Sequence, residues 1–70
     1  MRVFITGSSS HLAQALLPRL CERADIEQVT GIDLKPPQFQ HPKFNALQLD
    51  VRDPQLEQRM VDHNALIHMA

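Results

Sequence analysis

Apolar and polar positions change their period several times along the chain, and each change marks an element. Arg2 to Thr6 is a short β-branched and aromatic run closed by Gly7, the pattern of a central strand buried on both faces. From Ser10 onward, Leu12, Ala13, Leu16, Leu17, Leu20, Cys21 and Ala24 recur at steps of one, three or four and gather on one stripe of a helix. Pro18 falls inside that stripe. It has no N–H for the Gln14 carbonyl and crowds it, a defect of ~3 kcal/mol if uncompensated, so the helix is expected to kink there. Glu27 to Asp33 predicts a second strand built on Val29, Thr30 and Ile32, with Gly31 just before its end. Lys35 to Pro42, which holds three of the five prolines, reads as a surface loop, and Ala46 to Leu49 as a brief third strand. Asp53-Pro54 supplies an N-cap and a proline at the first helical position. The second helix that follows carries Leu56, Met60 and Val61 on one face and ends near His63-Asn64, and Ala65 to Met69 reads as a fourth strand.

Strand, helix, strand, loop, strand, helix, strand is the alternation of a parallel sheet with crossover connections, so the fold class is α/β. Seventy residues allow at most one domain with a thin core. Seven Lys and Arg against eight Asp and Glu give a formal charge of -1, which offers no footprint for a nucleic-acid backbone. The apolar trio from Val3 to Ile5 is far short of a signal-peptide core or a membrane span, so no membrane partner is expected. Cys21 is the single cysteine and has no second thiol to pair with, which suits a reducing compartment and points to the cytoplasm.

A strand that runs through a tight glycine turn into a helix brings unpaired backbone N–H groups and the positive end of the helix to one spot. That spot suits a phosphate. The segment here is Thr6-Gly7-Ser8-Ser9-Ser10-His11-Leu12-Ala13, and Asp33 lies twenty residues beyond Ala13 at the end of the next strand. In a dinucleotide fold an acid so placed accepts hydrogen bonds from the adenosine ribose hydroxyls and repels a 2'-phosphate, favouring NAD over NADP. Lys35, two residues on, is the one feature that would suit NADP.

These segments resemble the N-terminal portion of a short-chain dehydrogenase/reductase of the extended, NAD-dependent epimerase/dehydratase type. The resemblance covers nearly the whole chain. Of that family's T-G-x-x-G-x-x-G motif, Thr6 and Gly7 match, Ser10 stands at the second glycine and Ala13 at the third. At the second place a Cβ crowds the approach to a pyrophosphate. Ser8, Ser9 and Ser10 offer hydroxyl donors to phosphate oxygens, and Ser10 also serves as the helix N-cap; alternatively they are ordinary turn serines. Leu49-Asp50-Val51-Arg52-Asp53 resembles the segment in which an aspartate accepts from the adenine amino group and the next residue's N–H reaches a ring nitrogen, places held here by Asp50 and Val51. The last residues, Ala65 to Ala70, resemble the family's fourth strand, whose end passes the nicotinamide-side ribose; Met69 and Ala70 match that end.

The resemblance therefore implies a partial Rossmann fold, with strand order 3-2-1-4 and two helices, truncated before the catalytic and substrate-binding parts. It implies NAD as cofactor, held by Gly7, Ser9, Ser10, His11, Leu12, Asp33, Asp50, Val51, Met69 and Ala70. The implied parent is an oxidoreductase acting on a nucleotide sugar or a related hydroxy or carbonyl substrate. The alternatives are a non-catalytic dinucleotide-sensing regulator of the same fold, or a piece that has lost cofactor binding. The family's catalytic tyrosine has no counterpart, since the chain contains no tyrosine, and the seventy residues alone are expected to be inactive. His11, His41, His63 and His68 stand apart with no metal-site spacing, and His68 is expected to point into packing. Cys21 on the buried stripe reads as a small hydrophobe and Arg52 as a solvated loop charge. With strand four at an edge, the chain is expected to be marginally stable or to self-associate there.

Overall fold

The structure, a computed structural model, describes residues 1–69. Four strands, β1 (Arg2–Thr6), β2 (Gln28–Asp33), β3 (Phe44–Gln48) and β4 (Ala65–His68), form one parallel sheet in the order β3-β2-β1-β4. Helix α1 (His11–Glu22) joins β1 to β2, and helix α2 (Leu56–Met60) lies between β3 and β4. β1 is paired along both edges and covered on both faces, by α1 over Val3 and Ile5 and by His63 over Phe4, so these three are buried as their unbroken apolar run requires.

Register places Val3 between Val29 and Ala65, and Ile5 between Gly31 and Ile67. Successive side chains point to opposite faces, so these share one face, and Ala13, Leu17 and Cys21 of α1 close over it to make the core. Phe4, Thr30 and Ile32 point the other way and are buried as well. There the ring of His63 stands edge-on to Phe4 with centroids 5.2 Å apart, and its Nε2 lies 2.8 Å from the Thr30 hydroxyl.

Ser10 caps α1 as expected, its Oγ accepting from the Ala13 N–H at 3.2 Å. The helix continues through Pro18 to Glu22 and closes with the Arg23 N–H on the Leu20 carbonyl, leaving Ala24 outside. β2 begins one residue later than expected. β3 begins two residues earlier and ends one sooner, because Phe44 and Asn45 pair with Val29 and Thr30 and the Phe44 ring packs 5.7 Å from Phe39. β4 stops at His68.

The second helix differs most from the expectation. It has five residues instead of running from Pro54 to His63-Asn64. Asp53 does act at its start, accepting from Gln55 N–H at 2.8 Å and, through its carbonyl, from Leu56 N–H at 3.0 Å; these bonds shape an entry turn, and Gln55 is the N-cap. At the other end Asp62 takes a left-handed φ of 72° that turns the chain out of the helix. The cause lies downstream: His63 is held on Thr30, and Asn64 bonds Arg2 both ways, Asn64 N–H to the Arg2 carbonyl at 2.7 Å and Arg2 N–H to Asn64 Oδ1 at 2.8 Å. With both residues fixed to the sheet, the helix must end before them, and Val61, expected on the packed face, is left 62% exposed.

Candidate dinucleotide site at the strand ends

Gly7 leaves β1 with a φ of 72°, a conformation open to glycine. The N–H groups of Gly7 and Ser8 both donate to the Ile32 carbonyl, at 2.9 and 3.1 Å, and Ser10 N–H returns to the Gly7 carbonyl at 3.0 Å. The turn is thereby held down on β2. Gly31 makes room for this: a Cβ there would lie 2.6 Å from Ser8 Cβ and 2.8 Å from Phe44 Cε1. Sequence reading gave Gly31 no role, although a glycine inside a strand is itself the signal of close backbone approach.

The Asp33 carboxylate faces the turn. Oδ2 accepts from Ser9 N–H at 3.0 Å and Oδ1 from Lys35 N–H at 3.0 Å. Partial burial works against its charge, but the amides of Lys35, Ser9 and Leu34 and the Lys35 ammonium outweigh that effect and hold the carboxyl below its ordinary range. A carboxylate has about four lone-pair sites, so acceptor capacity remains for hydroxyl donors. The Ser9 hydroxyl donates to the carbonyls of Lys35 and Pro36, at 3.0 and 3.2 Å, and the Ser10 hydroxyl caps α1. In this conformation the Ser9 proton is taken up by the loop carbonyls, whereas Ser10 Oγ only accepts in the cap and keeps its own O–H to donate. Past Ser10, the main-chain N–H groups of His11 and Leu12 have no acceptor among the described residues, as is usual in a first helical turn.

A cleft of about 300 Å³ opens here at the carboxyl ends of the strands. It runs over the ends of β1, β2 and β3 and reaches through Met69 to the β1–β4 boundary, where one connection leaves toward β2 and the other arrives from β3, the switch point at which α/β sheets bind ligands. Gly7, Ser9 and Ser10 form one wall, Asp33 to Lys35 another, and Leu49, Asp50, Val51 and Met69 complete it. Seven of the ten expected cofactor residues thus meet in one place. The side chains of His11 and Leu12 are exposed and lie outside the cleft, and Ala70 is beyond the described residues. Leu34 and Leu49 line it without having been singled out in the sequence.

Asp50 is not free. Its Oδ1 accepts from Arg52 N–H and Nε at 2.9 and 3.2 Å and its Oδ2 from Nη2 at 2.8 Å, and this guanidinium holds the carboxyl down to about 2. Arg52 is therefore a partner of Asp50 and not merely a solvated charge. His68, expected in packing, is exposed, with Nδ1 2.6 Å from Thr6 Oγ1, which also accepts from Met69 N–H at 3.2 Å. Cys21 is buried, and burial pushes its thiol up. Among the described residues no three His, Cys, Asp or Glu side chains gather as a metal site, and no helix is long and apolar enough to cross a membrane.

No protein-family model matches the chain, and no curated protein matches it. Solved structures do. Uronate dehydrogenase from Agrobacterium tumefaciens aligns with 97% of this chain and 25% of its own, at a TM-score of 0.81 and 22% identity. The chain shares its fold. A variant of that enzyme has been solved as a complex with NAD. UDP-glucuronic acid 4-epimerase from Bacillus cereus, in complex with UDP-4-deoxy-4-fluoro-glucuronic acid and NAD, aligns with 100% of this chain and 26% of its own, at 0.84 and 19% identity. An oxidoreductase from Lactococcus lactis aligns with 100% of this chain and 32% of its own, at 0.77 and 24% identity. The four-stranded unit is a partial Rossmann fold, and it spans about a quarter to a third of the length of these structures.

Proposed function

We propose that the chain is the NAD-binding N-terminal part of an extended short-chain dehydrogenase/reductase, an oxidoreductase of epimerase, dehydratase or reductase type acting in the cytoplasm on a nucleotide sugar or a related hydroxy or carbonyl substrate. The observation that carries this reading is the Asp33 carboxylate, held 3.0 Å from the Ser9 amide in the turn that opens α1, on the wall of the same cleft. An acid beside a helix mouth at the carboxyl ends of parallel strands supports a reading with a ribose acceptor and a diphosphate donor set in one crevice. That two solved structures of the same fold are NAD complexes by description supports the choice of ligand.

The donor set fits the cofactor. Gly7 is a glycine where φ is positive, whereas Ser10 has a φ of -72° and needs no glycine for its backbone. Its side chain folds back onto the Ala13 amide, and Ala13 is buried in the core, so the two departures from the glycine pattern are absorbed by the cap and the packing. In this reading the His11 and Leu12 amides and the Ser10 hydroxyl receive the diphosphate on the turn that Gly7 and Ser9 shape, Asp33 takes the adenosine ribose, Asp50 and Val51 the adenine, and Met69 and Ala70 the nicotinamide side. Asp50 accepts the adenine amino group beside its bond to Arg52. The hydride chemistry is the nicotinamide's own.

Calorimetric titration of the chain with NAD and NADP tests the assignment. NAD is expected to bind more tightly than NADP, and Asp33→Asn to weaken NAD about 10-fold or more, the usual cost of a lost charge-assisted hydrogen bond. No heat from either dinucleotide, in the natural chain or in Ser10→Gly, would end the proposal.

A further inference from the structure

The loop that leaves β2 is fastened to the glycine turn by a closed ring of hydrogen bonds, and Ser9 supplies two of its links. Its N–H donates to Asp33 Oδ2 at 3.0 Å, and its Oγ donates to the Lys35 carbonyl at 3.0 Å and toward the Pro36 carbonyl at 3.2 Å. The Lys35 N–H then closes the ring on Asp33 Oδ1 at 3.0 Å. Gln48, on β3, holds the same loop from the other side, with Nε2 donating to the Leu34 carbonyl at 2.9 Å.

We infer that the Ser9 hydroxyl is a specificity-determining positioning group, which fixes the Asp33 carboxylate toward the ribose and keeps the Lys35 segment from rearranging toward a 2'-phosphate. This rests on the dinucleotide reading of the cleft. A carboxylate discriminates by presenting a fixed negative charge, and its plane is fixed only while both oxygens have donors that do not move. One donor, Ser9 N–H, belongs to a turn already held on β2. The other, Lys35 N–H, belongs to an exposed loop whose inner end is tied to the turn through the Ser9 hydroxyl. Without that hydroxyl the Lys35 carbonyl is released and the Lys35 N–H is steadied from one side alone, by Gln48 on the Leu34 carbonyl of the same peptide; the bond to Oδ1 loosens, and Lys35, which lines the same cleft, gains freedom to turn its cation toward the place where a 2'-phosphate would lie.

Ser9→Ala removes the hydroxyl and keeps the amide; Ser9→Thr restores a hydroxyl at the same atom. Two measurements on the 70-residue chain separate the ideas. Carboxyl-carbon NMR of Asp33 in the ligand-free chain should show its titration midpoint moving up toward the ordinary carboxylate value in Ser9→Ala and returning in Ser9→Thr, because the Lys35 amide is one of the donors that hold it down. Titration with NAD and NADP should show the preference for NAD falling about three- to tenfold in Ser9→Ala, the worth of one neutral hydrogen bond, and recovering in Ser9→Thr. An unmoved Asp33 midpoint in Ser9→Ala overturns the positioning role. An unchanged NAD-to-NADP ratio with NAD still bound overturns the specificity role while leaving the cofactor reading intact. A moved midpoint in a chain that binds neither dinucleotide overturns the cofactor reading, and the specificity role with it.

Discussion

At the scale of single residues, the site depends on positions where a few atoms decide the outcome. Gly31 is the clearest, since its missing Cβ is what lets Ser8 rest on β2. Gly31→Ala is expected to destabilise the chain by about 1–3 kcal/mol through overpacking, read from urea unfolding, and to weaken NAD by lifting the turn. Asp33 makes a pH prediction. Its folded pKa lies below the ordinary value, so its contribution to stability is fully present above about pH 4, where the unfolded chain is also ionised, and is lost as pH falls through the lower folded value. Asp25, exposed, and Asp50, half-buried, are each held to about 2 by an arginine two residues away and titrate in acid as well. The informative measurement is therefore a difference: Asp33→Asn should flatten the acid limb of stability against pH relative to the natural chain, and leave the neutral region parallel.

At the scale of elements, α1 was legible and α2 was not, for a physical reason. The stripe from Ala13 to Cys21 carries its own instruction, because the residues that pack are the residues that repeat, and Ser10 caps it locally. Pro18 is a cost inside that helix, which continues past it to Glu22. Pro18→Ala is expected to raise stability by about 1–3 kcal/mol by returning a bond to the Gln14 carbonyl, and differential scanning calorimetry should show a rise of roughly 4–8 °C per kcal/mol. α2, in contrast, ends where it does because His63 meets Thr30, 33 residues earlier, and Asn64 meets Arg2, 62 residues earlier. No window of local sequence around Val61 contains those partners.

At the scale of the whole molecule, one sheet carries α1 on one face and, on the other, Phe4 and Thr30 under the His63 ring. Leu66, on β4, remains 52% exposed, and β4 pairs only with β1 among the described residues. An unpaired edge with an apolar side chain beside it and a net charge of -1 gives little to keep copies apart. Sedimentation velocity of the 70-residue chain should therefore show a weight-average size that grows with concentration, and Leu66→Lys should shift it back toward monomer. A cooperatively folding monomer at all concentrations would refute the edge-pairing prediction.

The order of elements, the parallel sheet and the meeting of Gly7 and Asp33 at one cleft were determined by the sequence alone, because each is written in residues close together or at a fixed spacing: an apolar run, a helical stripe, a turn glycine, an acid at a strand end. The tertiary structure alone decided that Gly31 is the floor under the turn, that Ser9 ties the loop after β2, that Asp50 is shared with Arg52, and that α2 is a single short helix. These are meetings between side chains whose positions are fixed only once the strands lie in register, and a linear pattern holds no record of which atoms will then be neighbours.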